Sequence, residues 1–127
     1  MAIKGLGTDI VEIPRFAARF DKLGDKLAQR ILTAAELNEL AAANDKPRFV
    51  AKRFAVKEAA SKALGTGIGR GVSFHHIEVS HDDWGAPKLQ LTGGAAERMA
   101  QLGADSAHLS LSDEQAYAVA TVVIEGP

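Results

Sequence analysis

The sequence has 127 residues with no cysteine, 46% hydrophobic and 24% charged residues, and a formal net charge of −1. These values fit one globular domain spanning residues 1–127, and they exclude thiol catalysis and thiolate metal sites. There is no apolar run of about 18 residues and no signal-peptide pattern, so we expect a cytoplasmic protein without a membrane segment. The near-neutral net charge argues against bulk nucleic-acid binding, so we expect no nucleic-acid partner.

The first predicted element is a strand over residues 2–11, interrupted by Gly5 and Gly7. Asp9 lies in this strand, and a carboxylate in an apolar strand needs a partner. Two interpretations are open. Asp9 is either a structural residue held by backbone amides or an arginine, or a functional carboxylate.

A basic stripe of five cations, spaced by three or four residues, follows this strand. It consists of Arg15, Arg19, Lys22, Lys26 and Arg30. Apolar residues repeat at the same intervals one position later, which predicts an amphipathic helix with its cations outward, divided in two at Gly24. These apolar residues are Phe16, Phe20, Leu23, Leu27 and Ile31. The basic stripe is either a solvated face or a docking surface for an acidic protein partner.

Two further helices are predicted from their capping signals. Residues 33–36 form a capping box that opens a short helix ending at about Ala43. A long helix follows over residues 46–64, with Asp45 as its N-cap and Gly65 as its end. Glycines in the loop after it would let backbone amides approach a ligand closely, although glycine is also the ordinary helix terminator.

One face of the long helix carries a carboxylate among cations. Glu58 and Lys62 are four residues apart on that face, and Lys57 is set off by about 100°. The opposite arc is apolar and is expected to pack into the core. Its members are Ala55, Val56, Ala59, Ala60 and Ala63. Glu58 and Lys62 form either an ordinary surface pair or a site where a divalent cation held by Glu58 shares a polyanion with the lysines.

The second half of the chain combines strands with one helix. The predicted elements are strands 77–80 and 88–91 joined by a turn at 82–87, a helix over 95–102 ended by Gly103, a strand over 108–112 and an apolar central strand over 118–124. Mixed in this order, they predict an α+β domain with a largely antiparallel sheet. We expect His75, His76 and His81 to be structural or solvated. His108 lies on a polar strand face, where it either lines a site or forms a structural hydrogen bond.

Three ordered blocks carry a family resemblance. They are residues 5–13 (GLGTDIVEI), residues 53–67 (RFAVKEAASKALGTG), and residues 108–112 (HLSLS) with Tyr117-Ala118. Together they resemble the small phosphopantetheinyl transferases of the holo-acyl-carrier-protein synthase type, and three blocks in order are far more specific than any one. The resemblance implies a 4′-phosphopantetheinyl transferase-like fold, in which the sheet packs on a long central helix.

The resemblance also implies an activity. The protein would transfer 4′-phosphopantetheine from coenzyme A to a serine of apo-acyl carrier protein, releasing adenosine 3′,5′-bisphosphate, in support of fatty acid biosynthesis. Asp9 and Glu58 would hold Mg²⁺ through oxygen ligands. Lys62 would neutralise or protonate the departing phosphate, and either Glu58 or a metal-bound water would activate the serine.

Further site residues follow from the same resemblance. Contacts to the phosphates of coenzyme A would come from Arg53, Lys57, Lys62, Gly65, Thr66 and His108. Gly85 and Pro87 would border the adenine nucleotide. Two positions depart from the family pattern, since Ala86 replaces a common lysine and Asp113 stands where many relatives have a second histidine.

Family members of this size form homotrimers with active sites at subunit boundaries, and we expect the same here. Acyl carrier proteins are acidic helical domains, so Arg15, Arg19, Lys22 and Lys26 would bind the carrier. Two alternatives remain open at this point, a non-enzymatic module that binds a nucleotide or an acidic helix, and a Mg²⁺-dependent pyrophosphate hydrolase. The choice of carrier and the use of acylated coenzyme A are also open.

Overall fold

Five strands and five α-helices follow one another along residues 1–127 of this computed structural model, with one short 3₁₀ turn at Phe74–His76. In chain order they are β1 (Ala2–Glu12), α1 (Ile13–Leu23), α2 (Asp25–Ile31), α3 (Ala34–Ala41), α4 (Lys46–Ala63), β2 (Ile77–His81), β3 (Pro87–Leu91), α5 (Gly93–Gln101), β4 (Ser106–Asp113) and β5 (Tyr117–Gly126).

The strands form two antiparallel sheets. One has three strands in the order β1-β5-β4, and the other is the β2-β3 hairpin. The predicted α+β class and antiparallel pairing are confirmed, with the sheet divided into two parts. β5 is the central strand, as its apolar sequence predicts, and its inner face is buried. The buried residues of that face are Ala118, Ala120, Val122 and Ile124.

The long helix α4 packs directly on β1, and two glycines allow this contact. A Cβ atom at Gly5 would lie 2.0 Å from the carbonyl oxygen of Ala63, and one at Gly7 would lie 2.0 Å from that of Ala59. Only glycine fits at such a distance. The strand therefore runs through both glycines to Glu12 and is not interrupted by them, apart from a register shift between Ile3 and Gly5.

The helical predictions hold with small corrections at their ends. Gly24, at φ 55°, separates α1 from α2, as predicted. Leu23 was expected to face inward, but it lies at the C-terminal end of α1 with 45% of its surface exposed. The helix opened by the capping box ends at Ala41, and α5 begins at Gly93, two residues earlier than expected. No helix combines the length and hydropathy needed to cross a membrane.

Candidate active site

Asp9 and Lys62 meet where β1 lies against α4. Side chains alternate along a strand, so Asp9 shares the helix-facing side of β1 with Gly5 and Gly7. The Lys62 ammonium donates to Asp9 Oδ1 and to the Thr8 carbonyl oxygen, each at 3.0 Å. The partner of Asp9 is thus a lysine, neither an arginine nor backbone amides.

Glu58 completes a group of two carboxylates and one ammonium. It is half-buried, and no ion pair joins it to Lys62, so the ordinary surface pair considered for these two residues does not form. Partial burial raises the pKa of Glu58, and the charge of Asp9 raises it further, while the charge of Lys62 opposes both. Glu58 is therefore a stronger proton acceptor than a solvated glutamate.

The two carboxylates fit a magnesium ion as a pair. No group of three or more His, Cys, Asp or Glu side chains that could hold a metal occurs in the structure. Mg²⁺ commonly binds proteins through one or two carboxylates and takes its remaining ligands from water and substrate phosphates. The donors at Asp9 and Glu58 match that chemistry, and in this structure the Lys62 ammonium supplies the positive charge beside Asp9.

The geometry of Lys57 does not favour the predicted contact with coenzyme A. Its side chain is fully buried, and its ammonium donates to the Ile31 carbonyl oxygen at 2.7 Å, Glu36 Oε1 at 2.6 Å and the Phe74 carbonyl oxygen at 3.2 Å. All three donors are used. Desolvation lowers the pKa of Lys57, and the hydrogen bond to Glu36 opposes that shift. Lys57 is a core residue that joins α4 to α2, α3 and the 3₁₀ turn.

Arg53 belongs to the same buried cluster. Its Nη2 donates to Glu39 Oε2 at 3.1 Å, its guanidinium stacks on Phe49, and the residue is 5% exposed. This geometry does not favour Arg53 as a coenzyme A contact. Glu36, which pairs with Lys57, had been identified only as the N3 residue of a capping box. The capping box forms as predicted. Glu36 Oε2 also accepts from the Val79 amide at 3.0 Å, a long-range contact that no sequence pattern predicts.

The amides at the start of the glycine loop after α4 are not free, although the sequence predicts that they are. The amides of Thr66 and Gly67 both donate to the Ser61 carbonyl oxygen, and the Gly65 amide donates to that of Lys62. These bonds close the C-terminal end of α4, where unpaired carbonyls otherwise remain. A ligand can still lie close to Gly65 and Thr66, but their backbone amides cannot donate to it because they already donate to carbonyls of the chain.

The remaining predicted cofactor contacts lie apart from Asp9. His108 is on the outer face of the three-stranded sheet, opposite the face that packs on α4, and its Nε2 lies 2.7 Å from Glu125 Oε1. Gly85 and Pro87 lie in the β2-β3 hairpin, in the other sheet. A single chain does not bring these three residues to the Asp9 site.

The hairpin turn is held in one conformation by Asp82. Its Oδ1 accepts from the amides of Trp84 and Ala86, each at 2.9 Å. The hydrogen bond from Ala86 is the main reason that the pKa of Asp82 lies below its usual value. Ala86 therefore stabilises the turn through its backbone amide. Its side chain does not provide the positive charge that a lysine would place there.

Asp113, the second departure from the family pattern, forms ion pairs. Arg48 Nη1 lies 2.9 Å from its Oδ2, and Lys52 Nζ lies 3.3 Å from its Oδ1. Burial pushes the pKa of Asp113 upward, but the charge of Lys52 and the hydrogen bond from Arg48 outweigh it, so the pKa is lowered. Arg48 also donates to the carbonyls of Glu114 and Gln115, so this cluster fastens the β4-β5 turn to α4.

The other histidines have structural or solvated positions, as predicted. His75 Nε2 lies 2.7 Å from the Gln29 carbonyl oxygen, and His76 Nδ1 accepts from the Ser73 amide at 3.1 Å. His81 is exposed at the end of β2. None of them lies in a group that could hold a metal.

The basic stripe lies on the outside of α1 and α2, as its spacing predicts, and all five of its cations are exposed. Beside it is a groove of about 170 Å³ that Arg15 and Arg19 line together with Phe16, Ile10 and Phe54. Ile10 follows Asp9, and Phe54 lies one helical turn before Glu58. The groove therefore lies beside the basic stripe, between the end of β1, α1 and α4.

Comparisons with known proteins show which family the chain and its fold resemble. Residues 5–122 match the model of the 4′-phosphopantetheinyl transferase superfamily. A holo-[acyl-carrier-protein] synthase of Shewanella denitrificans is 62% identical over 98% of this chain and 99% of its own. The crystal structure of the Neisseria meningitidis holo-[acyl-carrier-protein] synthase is 41% identical, with a TM-score of 0.91 over 98% of this chain and 99% of that one. The Bacillus anthracis synthase, solved in complex with CoA (3′,5′-ADP), is 42% identical, with a TM-score of 0.82 over 98% of both chains.

Proposed function

The chain belongs to the holo-[acyl-carrier-protein] synthases of the 4′-phosphopantetheinyl transferase superfamily, and we propose that it modifies an acyl carrier protein in a Mg²⁺-dependent reaction. The 4′-phosphopantetheine group passes from coenzyme A to a serine of the apo-carrier, and adenosine 3′,5′-bisphosphate is released. The reaction takes place in the cytoplasm and supports fatty acid biosynthesis. Residues 1–127 act as one catalytic domain.

The observation that carries this proposal is the meeting of Asp9, Glu58 and Lys62. Transfer of a phosphoryl-type group needs a base for the attacking hydroxyl, positive charge near the pyrophosphate and a donor for the leaving group. Asp9 and Glu58 would hold the magnesium ion, which when bound offsets the negative charge of the pyrophosphate. The three side chains provide these functions within one helix-strand contact.

The proposed steps assign each proton and bond. The serine oxygen forms a bond to the β-phosphorus of coenzyme A, and the bond between that phosphorus and the bridging oxygen breaks. Glu58 accepts the serine proton, since its raised pKa makes it a stronger acceptor than a solvated glutamate. Lys62 donates a hydrogen bond or a proton to the oxygen of the departing adenosine 3′,5′-bisphosphate, for which it must exchange its contact with Asp9.

Coenzyme A would also contact Gly65, Thr66, Gly85, Pro87 and His108. Lys57 and Arg53 are left out because their side chains are buried in ion pairs. His108 and the hairpin lie away from Asp9 within one chain. A homotrimer with its sites at subunit boundaries would let a neighbouring chain supply such residues, and we include this assembly in the proposal.

The carrier would dock on the basic stripe, chiefly through Arg15, Arg19, Lys22 and Lys26. Exposed cations on one helical face attract an acidic domain and speed its encounter. The groove at Arg15 and Arg19 adjoins these cations and would take part in the docking surface, and a docked carrier would present its serine to Glu58.

The test is intact-mass measurement of a carrier. The protein is incubated with coenzyme A, Mg²⁺ and an apo-acyl carrier protein, and we expect the mass of one phosphopantetheine group to be added to one serine. Asp9→Asn should nearly abolish this addition, whereas Asp105→Asn, at an exposed aspartate before β4, should leave it unchanged. Omitting Mg²⁺ should also stop the addition.

Two outcomes would contradict the proposal. Cleavage of coenzyme A without any carrier would indicate a pyrophosphate hydrolase. No addition by a folded protein that still binds coenzyme A would favour a binding module.

A further inference from the structure

The C-terminal end of α4 is an unfavourable place for a phosphate unless a side chain supplies positive charge. The amides of Gly65, Thr66 and Gly67 all donate to carbonyls of α4. A helix C-terminus also carries a partial negative charge, equivalent to about half an elementary charge. Neither the amides of these three residues nor the helix dipole can therefore hold a phosphate at Gly65.

Arg98 of α5 supplies a cation at this position. Its Nε donates to the Leu64 carbonyl oxygen at 3.0 Å, which caps α4 and fixes the direction of the guanidinium. Its Nη2 would lie 3.7 Å from a Cβ atom at Gly65, so the guanidinium lies against the glycine loop. Gly65 leaves this space open because it has no side chain.

Most of the hydrogen-bonding capacity of Arg98 remains available. No acidic side chain forms an ion pair with it, and its only other contact is a long hydrogen bond from Nη1 to Gln101 Oε1 at 3.4 Å. The nearest cation along α4, Lys62, is paired with Asp9. Gly65 is one of the proposed coenzyme A contacts, so a phosphate bound at Gly65 would lie beside the guanidinium of Arg98.

We propose that Arg98 binds a phosphate group of coenzyme A. This inference rests on the proposed function. The planar guanidinium, held by the Leu64 carbonyl through Nε, presents Nη1 and Nη2 to two phosphate oxygens, a geometry that arginine provides and lysine does not. Arg98 is a binding residue contributed by α5, outside all three sequence blocks of the family.

The experiment compares Arg98→Gln with a matched cap variant. Lys46 also caps a helix, since its ammonium donates to the Leu40 and Ala41 carbonyls at 3.3 Å, but it lies at the opposite end of α4. We expect Arg98→Gln to weaken coenzyme A binding, measured by calorimetry, about tenfold, and to raise KM with little change in kcat. Lys46→Gln should lower Tm and leave coenzyme A binding unchanged.

Two further arms identify the phosphate and guard against misfolding. Arg98→Lys retains the positive charge. If the two variants have the same Tm, Arg98→Lys should lose less affinity for coenzyme A than Arg98→Gln. If the contact is to the 3′-phosphate, the loss should disappear with dephospho-coenzyme A, and if it is to the pyrophosphate, the loss should persist.

The result that overturns the inference is an Arg98→Gln protein with lowered Tm but wild-type affinity and KM, because Arg98 would then be only a helix cap. In that case the wild type still transfers phosphopantetheine, and the proposed function stands. A wild type that neither binds coenzyme A nor transfers the group overturns both.

Discussion

Glu58 is a carboxylate whose surroundings oppose its charge. Burial and the negative charge of Asp9 raise its pKa. The folded chain therefore holds this proton more tightly than the unfolded chain, and the ionised form destabilises the fold at pH above the native pKa. The penalty is absent below the unfolded pKa, where both states are protonated, and it develops as the pH rises between the two values. Ionised Glu58, the proposed base, therefore lowers the free energy of unfolding.

Replacing Glu58 by glutamine should separate stability from activity. In the presence of a chelator, we expect Glu58→Gln to raise Tm at mildly alkaline pH and to leave it unchanged in acid, because the variant removes the unfavourable charge. Transfer to the carrier should fall about 100-fold or more, since a general base is lost. Thermal scans and intact-mass rates measure the two effects, with the exposed Glu114→Gln as control. A lower Tm in alkali would contradict the assignment.

Lys57 presents the opposite case, a buried charge that depends on its partner. Removing one member of a buried ion pair leaves the other uncompensated, at about 3–5 kcal/mol. We expect Lys57→Met to lower the free energy of unfolding by about this amount in urea titrations, and Glu36→Gln to add little in the double variant. The exposed Lys22→Met should change stability by less than about 0.5 kcal/mol. Equal effects at Lys22 and Lys57 would refute the buried pair.

The contrast between these residues explains what sequence could and could not predict of the site. Asp9, Glu58 and Lys62 were identified from a strand carboxylate, a helical spacing and a family motif, although the Lys62-Asp9 contact was not. The burial of Lys57 was not predicted, because a helical wheel gives the angle of a side chain around the helix and not its depth in the fold. Its surroundings are set by α2, α3 and the 3₁₀ turn, which are distant in sequence.

At the scale of elements, the contact of β1 with α4 determines where Asp9 lies. Gly7→Ala would place a methyl group 2.0 Å from the Ala59 carbonyl oxygen, so the strand must move away from the helix. Overpacking of this kind costs about 1–3 kcal/mol. We expect this loss in urea titrations, together with a fall in transfer rate in the folded fraction, because Asp9 shifts relative to Lys62. Lys4→Ala on the same strand should have neither effect, and wild-type stability for Gly7→Ala would contradict the close contact.

In the proposed function, helix α1 carries most of the docking surface for the acyl carrier protein. Reversing the charge of Arg15 and Arg19 should weaken carrier affinity about tenfold or more at low salt and much less at high salt, where exposed charges are screened. Calorimetric titration with the apo-carrier at two ionic strengths measures the effect. Lys4→Glu, a reversal outside α1, should leave the affinity unchanged. A variant that binds equally well at low salt would remove this docking surface from the proposal.

Elements were easier to predict than their packing. Capping signals located α3 and α4, and alternation located the hairpin, because these signals are local. The division into two sheets depends on which strands meet in the folded chain, which no local signal specifies. The exposure of Leu23 was not predicted either, because the apolar pattern of α1 is the same whether its last turn is buried or exposed. The start of the glycine loop illustrates the same limit, since its composition predicts free amides, and hydrogen bonds within the chain use those of Gly65, Thr66 and Gly67.

At the scale of the whole molecule, the outer face of the three-stranded sheet is unusually apolar for a surface. Leu6 and Ile10 of β1 are 64% and 63% exposed, and Val119, which pairs with Ile10, is 37% exposed. Exposed apolar side chains grouped on one sheet face in this way mark interaction surfaces. His108 lies on this same face, so an assembly through it would carry His108 towards another chain.

The proposed homotrimer makes activity depend on this face. We expect the wild type to have a mass in solution of about three times the 13.4 kDa of one chain, measured by light scattering during size-exclusion chromatography. Ile10→Asp should give a folded monomer with little transferase activity, because burial of a charge prevents assembly and each site then lacks its neighbour. Leu23→Asp alters a residue of similar character, 45% exposed on α1, and should remain trimeric. A fully active monomeric wild type would contradict the trimer, and with it the explanation for the distance of His108 from Asp9 within one chain.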